Sequence, residues 1–330
     1  MTALQNQKTL RDLSLSLRAT KWADVNAVAQ LIYDVCEGDG DVTVATTPEE
    51  LTNQWKTERF NPETDTCVIE TQNGQIVGYG EFFDSKDHAD LNADIYVHPR
   101  FKQLGLIKAL LDRVGERALE ELKLAAPDLR VFIRSTMDGK DEEAKKSHED
   151  SGYTPIRFNW RMEIKLDNAP PAPVWPDGIE LRPFVREEHS LAVLTAVNEA
   201  FRDHWGSHER SFEEWEHSRF GKADYDPSLW VIAWDGNEIA GFSINRLRMG
   251  IGWIGTLGVR RPWRKKGLGL ALLRHSFGEF YNRGMKTIGL GVDASSPTGA
   301  TRLYQGAGMY IASEFITYDK ELRAGRDLVE

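Results

Sequence analysis

The order of short segments in the first half of this chain recurs in the second. Leu15-Ser16-Leu17-Arg18 is matched by Ile179-Glu180-Leu181-Arg182, and Gly74-Gln75-Ile76-Val77-Gly78 by Gly236-Asn237-Glu238-Ile239-Ala240-Gly241. Tyr96–Lys102 is matched by Gly258–Arg264, and Lys108-Ala109-Leu110-Leu111 by Leu270-Ala271-Leu272-Leu273. Partners stand 162 to 164 residues apart, and the offset falls to 156 for Ser151-Gly152-Tyr153 against Ala307-Gly308-Met309. The order is kept while loop lengths drift, so the chain reads as one domain type built twice. At 330 residues it is long enough for two cores. Between the halves, Pro170, Pro171, Pro173 and Pro176 favour an extended, semi-rigid linker. The expected organisation is a first domain over 1–166, a linker over 167–177 and a second domain over 178–330.

Within each half the apolar periodicity predicts an α/β domain with a mixed, mostly antiparallel sheet flanked by helices. In the second half Gly178–Val185 starts as a strand, and Leu191–Phe201 has helical spacing with Leu191, Leu194, Ala196 and Val197 on one face. Asp235-Gly236-Asn237 joins two strands of a hairpin, and Trp253–Val259 is the next strand. Gly267–Arg283 is helical and closed by Gly284, followed by a strand at Thr287–Val292, a helix at Thr298–Gly306 and a last strand in Tyr310–Lys320.

Composition narrows the partners. A net charge of −10 argues against a nucleic-acid binder. Cys36 and Cys67 are far apart and have apolar neighbours, so buried free thiols and a reducing cytoplasm are expected. Histidine and cysteine do not cluster at ligand spacing, so no metal is expected. The polar stretch Met1–Arg11 lacks a signal-peptide pattern, and no apolar run approaches a membrane span.

The chemistry concentrates in one strand, loop and helix of the second half: Leu257-Gly258-Val259, then Arg260–Lys266, then Gly267-Leu268-Gly269-Leu270. A helix N-terminus holds anions through unpaired N–H groups and a partial positive charge. Gly267 and Gly269 would keep Cβ atoms away from a pyrophosphate, and Arg264, Lys265 and Lys266 would add charge beside it. The stretch Val259-Arg260-Arg261-Pro262-Trp263-Arg264-Lys265-Lys266-Gly267-Leu268-Gly269 resembles the signature of the Gcn5-related N-acetyltransferase family, in which a strand ends near Val-x-Pro and Arg/Gln-x-x-Gly-x-Gly/Ala opens a helix. Downstream, Val292 to Pro297, Thr298-Gly299-Ala300-Thr301-Arg302-Leu303-Tyr304 and Gly308-Met309 follow the family's second pattern, with Ser296 where many members have Asn. The resemblance covers nearly the whole chain, once per half.

That resemblance implies acetyl-CoA as co-substrate and a small-molecule amine as acceptor. Backbone groups at Leu257 and Val259 would pair with the pantetheine arm, Arg264–Leu270 would hold the pyrophosphate, Ser296 would keep a cofactor contact, and Tyr304 would protonate the departing thiolate. Asp203, His204 and Trp205, in the segment Phe201–Gly206, would line the acceptor site. An alkyl amine with a pKa of about 10.4 must lose a proton before it attacks. The strand Glu used by many members is missing from Trp253-Ile254-Gly255-Thr256, which leaves His204, Asp203, Glu314 or a bridging water as the base.

The first half looks worn. Its loop reads Lys102-Gln103-Leu104-Gly105-Leu106-Ile107, in which Ile107 is expected to crowd a pyrophosphate and Lys102 gives up the bidentate Arg. His148 replaces Tyr304 and is expected to be exposed within the polar segment Asp138–Asp150, while Asp94 supplies a strand carboxylate. One productive acetyl-CoA site per chain is therefore expected. The tandem layout resembles that of mycothiol synthases, which acetylate the cysteinyl amine of a sugar-inositol thiol precursor. A polyamine or aminoglycoside acceptor and a non-catalytic acyl-CoA sensor or scaffold are the other readings. Two similar domains can imitate a homodimer, so a monomer or a homodimer both fit.

Overall fold

The protein is described by a computed structural model covering residue 10 and residues 12–205, 209–220, 225–296 and 298–328. Met1–Thr9, Arg11, Gly206 and Pro297, which entered the reading above, lie outside the described residues. The chain divides into two compact units, one running to Phe158 and taking in Glu314 onward, the other being Asn159–Ser313.

The first unit has strands β1 (Leu15–Ala19), β2 (Thr66–Thr71), β3 (Ile76–Lys86), β4 (Asp90–Val97) and β5 (Val131–Asp138), with helices α1 (Val25–Gly38), α2 (Pro48–Trp55), α3 (Leu106–Glu121) and α4 (Glu142–Asp150). β1 to β4 pair antiparallel in sequence order, and β4 pairs parallel with β5. A capping box starts α2, with Thr47 and Glu50 exchanging side-chain bonds to backbone N–H groups. The core between α3 and the sheet contains Leu110, Val114, Leu91 and Ile133, all fully or almost fully buried.

The second unit repeats this plan. Its strands are β6 (Thr154–Lys165, of which Asn159 onward belongs here), β7 (Ile179–Arg182), β8 (Val231–Asp235), β9 (Glu238–Arg248), β10 (Ile251–Val259) and β11 (Thr287–Asp293). Its helices are α5 (Arg186–Phe201), α6 (Phe212–Phe220), α7 (Leu268–Asn282) and α8 (Ala300–Gly306). β7 to β10 pair antiparallel in sequence order, and β10 pairs parallel with β11. Trp215, Trp230, Phe184 and Phe242 form one core cluster under α5, so several of the tryptophans are structural. The helix expected from Leu191 begins five residues earlier, at Arg186.

The sixth strand of each sheet breaks the simple duplication. The last strand of the chain, β12 (Tyr310–Arg323), pairs its residues Phe315–Arg323 antiparallel with β5 of the first unit. β6, which precedes the linker, pairs antiparallel with β11 of the second unit, from Asn159 opposite Asp293 to Lys165 opposite Thr287. The units thus do not part at the 167–177 linker: each sheet is completed by a strand from the other half of the sequence. An edge strand is recruited by an open ladder of N–H and C=O groups, which either half presents equally.

Cys36 and Cys67 are free and buried, and burial pushes both thiols up to about 12. One group that spacing did not suggest joins Asp84, His88 and Glu121, whose ligand-type atoms lie within 4.8 Å of one another. There the imidazole hydrogen-bonds to Glu121, and Arg117 pairs with the same carboxylate at 2.6 Å. Among the described residues no helix is long and apolar enough to cross a membrane.

Candidate active site

The second unit contains a cleft of about 810 Å³. Its origin lies in how β10 leaves β11. The two strands pair only from Gly252 opposite Ile288 to Ile254 opposite Leu290. At that point β10 carries a bulge against β9, because Gly255 intervenes between Ile254, opposite Asn245, and Thr256, opposite Ile244. A bulge bends its strand and increases its twist. Beyond it Thr256–Val259 stay with β9 and Gly291–Asp293 stay with β6, so the parallel strands part. Leu257, Gly258 and Val259 line one wall of the gap, and Leu290 to Asp293 line the other.

The gap leads to the N-terminus of α7. Gly267 is the N-cap, with φ +86°. A Cβ on Gly267 would meet nothing within 4 Å, so glycine is required there for backbone conformation. At Gly269 the reason is space: a Cβ would stand 3.3 Å from Leu303 Cδ2. Lys265 also has positive φ, at +62°, which gives the loop its tight curl. Lys265, Gly267, Leu268, Gly269 and Leu270 line the cleft, whereas Lys266 does not.

Arg264 is committed differently from the expectation. Its Nε donates to Val259 O at 3.1 Å and its Nη2 to Ala200 O at 3.0 Å. It therefore ties the loop to β10 and α5 while still lining the cleft, and the Val259 carbonyl keeps one lone pair for a further donor. Ser296 lines the cleft and shares a 3.0 Å hydrogen bond with Thr298 Oγ1.

Tyr304 is on α8, is 7% exposed and lines the cleft. Its hydroxyl has no hydrogen-bond partner among the described residues. Burial pushes the phenol up to about 12, so it is protonated at neutral pH and able to donate. Asp203, His204 and Trp205 also line the cleft. The Asp203 carboxylate pairs with Arg261, and the His204 ring lies 4.7 Å from that of Phe201. Glu314 is not among the residues that line the cleft. Three lining residues escaped the sequence reading: Asn198, Arg210 and Arg219. Only tertiary packing brings them here, and no local pattern marks them.

The first unit builds the same loop and fills it with its own acid. Gln103 and Gly105 have φ +66° and +73°, matching Lys265 and Gly267. β4 and β5 likewise part after Ala93 and Ser135. Here, however, Glu143 Oε2 accepts from Gln103 N at 2.6 Å, and Lys102 Nζ donates to Asp141 Oδ2 at 2.8 Å. The loop is thus answered by two carboxylates of α4 and its N-cap. Ile107 does not crowd the loop, contrary to expectation. It is 4% exposed and packs in the core, since the second residue of α3 points inward.

His148 is also corrected: it is 1% exposed. Its Nδ1–H donates to Ala144 O at 2.8 Å, and its Nε2 accepts from Ser135 Oγ at 3.0 Å. Burial lowers its pKa to about 4 and keeps it neutral. Asp94 stands opposite Glu81 across β3 and β4, and burial raises the two carboxyls to about 6 and about 8. Glu81 accepts hydrogen bonds from Tyr79 and Gln54.

Parted parallel strands, a glycine-capped helix and a buried phenol without a partner among the described residues thus meet in one cleft. The chain belongs to the acetyltransferase (GNAT) family, whose model matches residues 30–131 and again 190–309. It is 30% identical over 253 residues to a mycothiol acetyltransferase of Streptomyces scabiei, covering 75% of each chain. A second mycothiol acetyltransferase, from Paenarthrobacter aurescens, is 29% identical and covers 70% of this chain and 69% of its own. Among solved structures, a GCN5-related N-acetyltransferase from Sphaerobacter thermophilus superposes with a TM-score of 0.80 at 36% identity, over 96% of this chain and 98% of the other. A tandem GNAT protein from the clavulanic acid biosynthesis pathway gives 0.66 at 15% identity, over 94% and 100%, which supports the fold alone. The protein is an N-acetyltransferase with an α/β, mostly antiparallel sheet flanked by helices in each unit.

Proposed function

We propose that the second unit binds acetyl-CoA and transfers its acetyl group to the amine of a small molecule, with one working site per chain. The observation that carries this reading is the gap between β10 and β11, which runs to the Gly267 cap with Tyr304 on its wall. In this reading the pyrophosphate sits on the N–H groups at Gly267–Leu270 and the pantetheine arm lies along Leu257–Val259. Lys265 lends positive charge, and Ser296 with Thr298 closes the side of the groove. The amine attacks the thioester carbonyl, the tetrahedral intermediate collapses, and the Tyr304 phenol gives its proton to the leaving thiolate. Asp203 and His204, with an intervening water, stand at the acceptor end for proton removal. The curated relatives make a mycothiol precursor the first acceptor to assay.

Two measurements test this. Purified protein given acetyl-CoA and a panel of small amines should release free thiol with one of them. Gly267→Val should weaken acetyl-CoA binding, because a β-branched residue at φ +86° forces the loop out of its curl. Undiminished affinity in that variant would mean that the cofactor lies elsewhere.

A further inference from the structure

Two arginines that line the cleft have no carboxylate partner among the described residues. Arg219 lies on α6 and Arg210 just before that helix, and both line the cleft. Arg219 Nη2 donates to Thr256 Oγ1 at 3.0 Å, while its Nε is buried without an acceptor. Among the described residues neither guanidinium has an ion-pair partner. Burial first, then the charges of Arg210 and Arg246, lower the Arg219 pKa to about 10.

Several other partly buried arginines are paired with carboxylates. Arg18 is held between Asp24 and Glu70, and Arg117 between Asp65 and Glu121. Arg210 is exposed, but for the partly buried Arg219 a missing counter-ion is unfavourable, and an incoming anion removes that penalty. The cofactor's phosphates are not placed to do so. Thr256 marks the bulge where β10 leaves β11, whereas the phosphate loop begins only after Val259. Three residues of strand separate the two points by about 10 Å. Arg219 therefore stands toward the thioester end of the groove, on the acceptor side.

We propose that the acceptor carries an anionic group, a carboxylate or a phosphate, besides its amine, and that Arg219 binds this group with Thr256 and Arg210 beside it. The proposal rests on the acetyl-transfer reading above. It separates the acceptor classes named from the sequence: polyamines and aminoglycosides are polycations that these arginines repel, and a sugar-inositol thiol amine, which has neither a carboxylate nor a phosphate, would be the poorer acceptor on this proposal.

The test offers amines in matched pairs: amino acids against their amides, and amino sugar phosphates against the free amino sugars. The wild type should prefer the anionic member by roughly 10- to 100-fold in kcat/KM, the range for a charge-assisted hydrogen bond. In Arg219→Gln that preference should fall to within about threefold, and Arg219→Lys should keep part of it. Acetyl-CoA affinity should be unchanged in both, which also shows that the variants fold. A second arm needs no turnover: inorganic phosphate is titrated onto protein already saturated with CoA, so that the phosphate loop is filled. Binding lost in Arg219→Gln and weakened in Arg210→Gln supports the proposal. Equal use of charged and neutral members, or an anion preference that survives Arg219→Gln, would overturn it while leaving acetyl transfer intact. Failure of the wild type to bind acetyl-CoA would overturn the acetyl-transfer reading and this inference with it.

Discussion

Glu143 Oε2 accepts the backbone N–H of Gln103 at 2.6 Å, and so the first unit's anion loop is closed by a carboxylate of its own chain. At the matching place the second unit has Thr298 and Gly299, which carry no charge. The same curled backbone thus has two fates: one loop is open to a ligand and the other is already answered.

Calorimetric titration with acetyl-CoA should accordingly give one site per chain. Glu143→Gln replaces a charge-assisted hydrogen bond at an exposed position, so it should cost about 1 kcal/mol or less in urea unfolding. A wild-type stoichiometry of two would show that the first loop opens in spite of Glu143.

Tyr304→Phe keeps the buried ring and removes the proton. Its kcat should drop by roughly 10²-fold or more while acetyl-CoA affinity holds. Because burial holds the phenol near 12, deprotonation of Tyr304 should not limit the rate below about pH 10. An activity in Tyr304→Phe equal to the wild type would remove the tyrosine from the mechanism.

Stability should fall on the acid side because of His148. Its folded pKa, about 4, lies below the ordinary value of 6.5, so the unfolded chain binds the proton more readily. The neutral ring's contribution is present above pH 6.5 and is lost as pH falls toward 4. It amounts to on the order of 3 kcal/mol. Urea midpoints from pH 7 to pH 4.5 should show this slope, and His148→Gln should flatten it.

Glu81 works in the opposite direction. Burial raises its folded pKa to about 8 from 4.5, so the folded state holds the proton more tightly. Its favourable contribution is complete below pH 4.5 and fades as pH rises through 8. Glu81→Gln, which resembles the protonated acid, should be close to neutral at pH 5 and stabilising at pH 8.5. The idea fails if the variant is equally destabilised at both values.

What the sequence displayed was mostly local. Gly267 before an apolar helical run marked the cap of α7, and Gly284 its end, because both follow from backbone conformation over a few residues. That Tyr304 lines the cleft agrees with the family resemblance of Leu303-Tyr304 ahead of Gly308, which is what marked it in the sequence. The burial of Ile107 was legible as well, since Ile107, Leu110, Leu111 and Val114 share one helical face, although the loop comparison pointed elsewhere. The orientation of Arg264 was not, because its acceptors are the carbonyls of Val259 and Ala200, the latter 64 residues away. Arg219 reaches the cleft only through the packing of α6, which no spacing records. Nor does alternation along β6 or β12 say which open edge the strand will join, since a strand's pattern fixes its faces and leaves its partner free.

The exchange of β6 and β12 alters what a cut through the proline linker would produce. A fragment ending at Leu166 would carry off the strand that borders β11, and a fragment starting at Gly178 would carry off the one that borders β5. Each piece would leave with a bare sheet edge and with the strand its counterpart needs. Produced together, the two pieces should clasp each other without a peptide bond; produced alone, each should seek an edge in a second copy of itself. Duplication made the halves alike, but this reciprocal loan makes them inseparable as hereditary units, so a working descendant must keep or lose both.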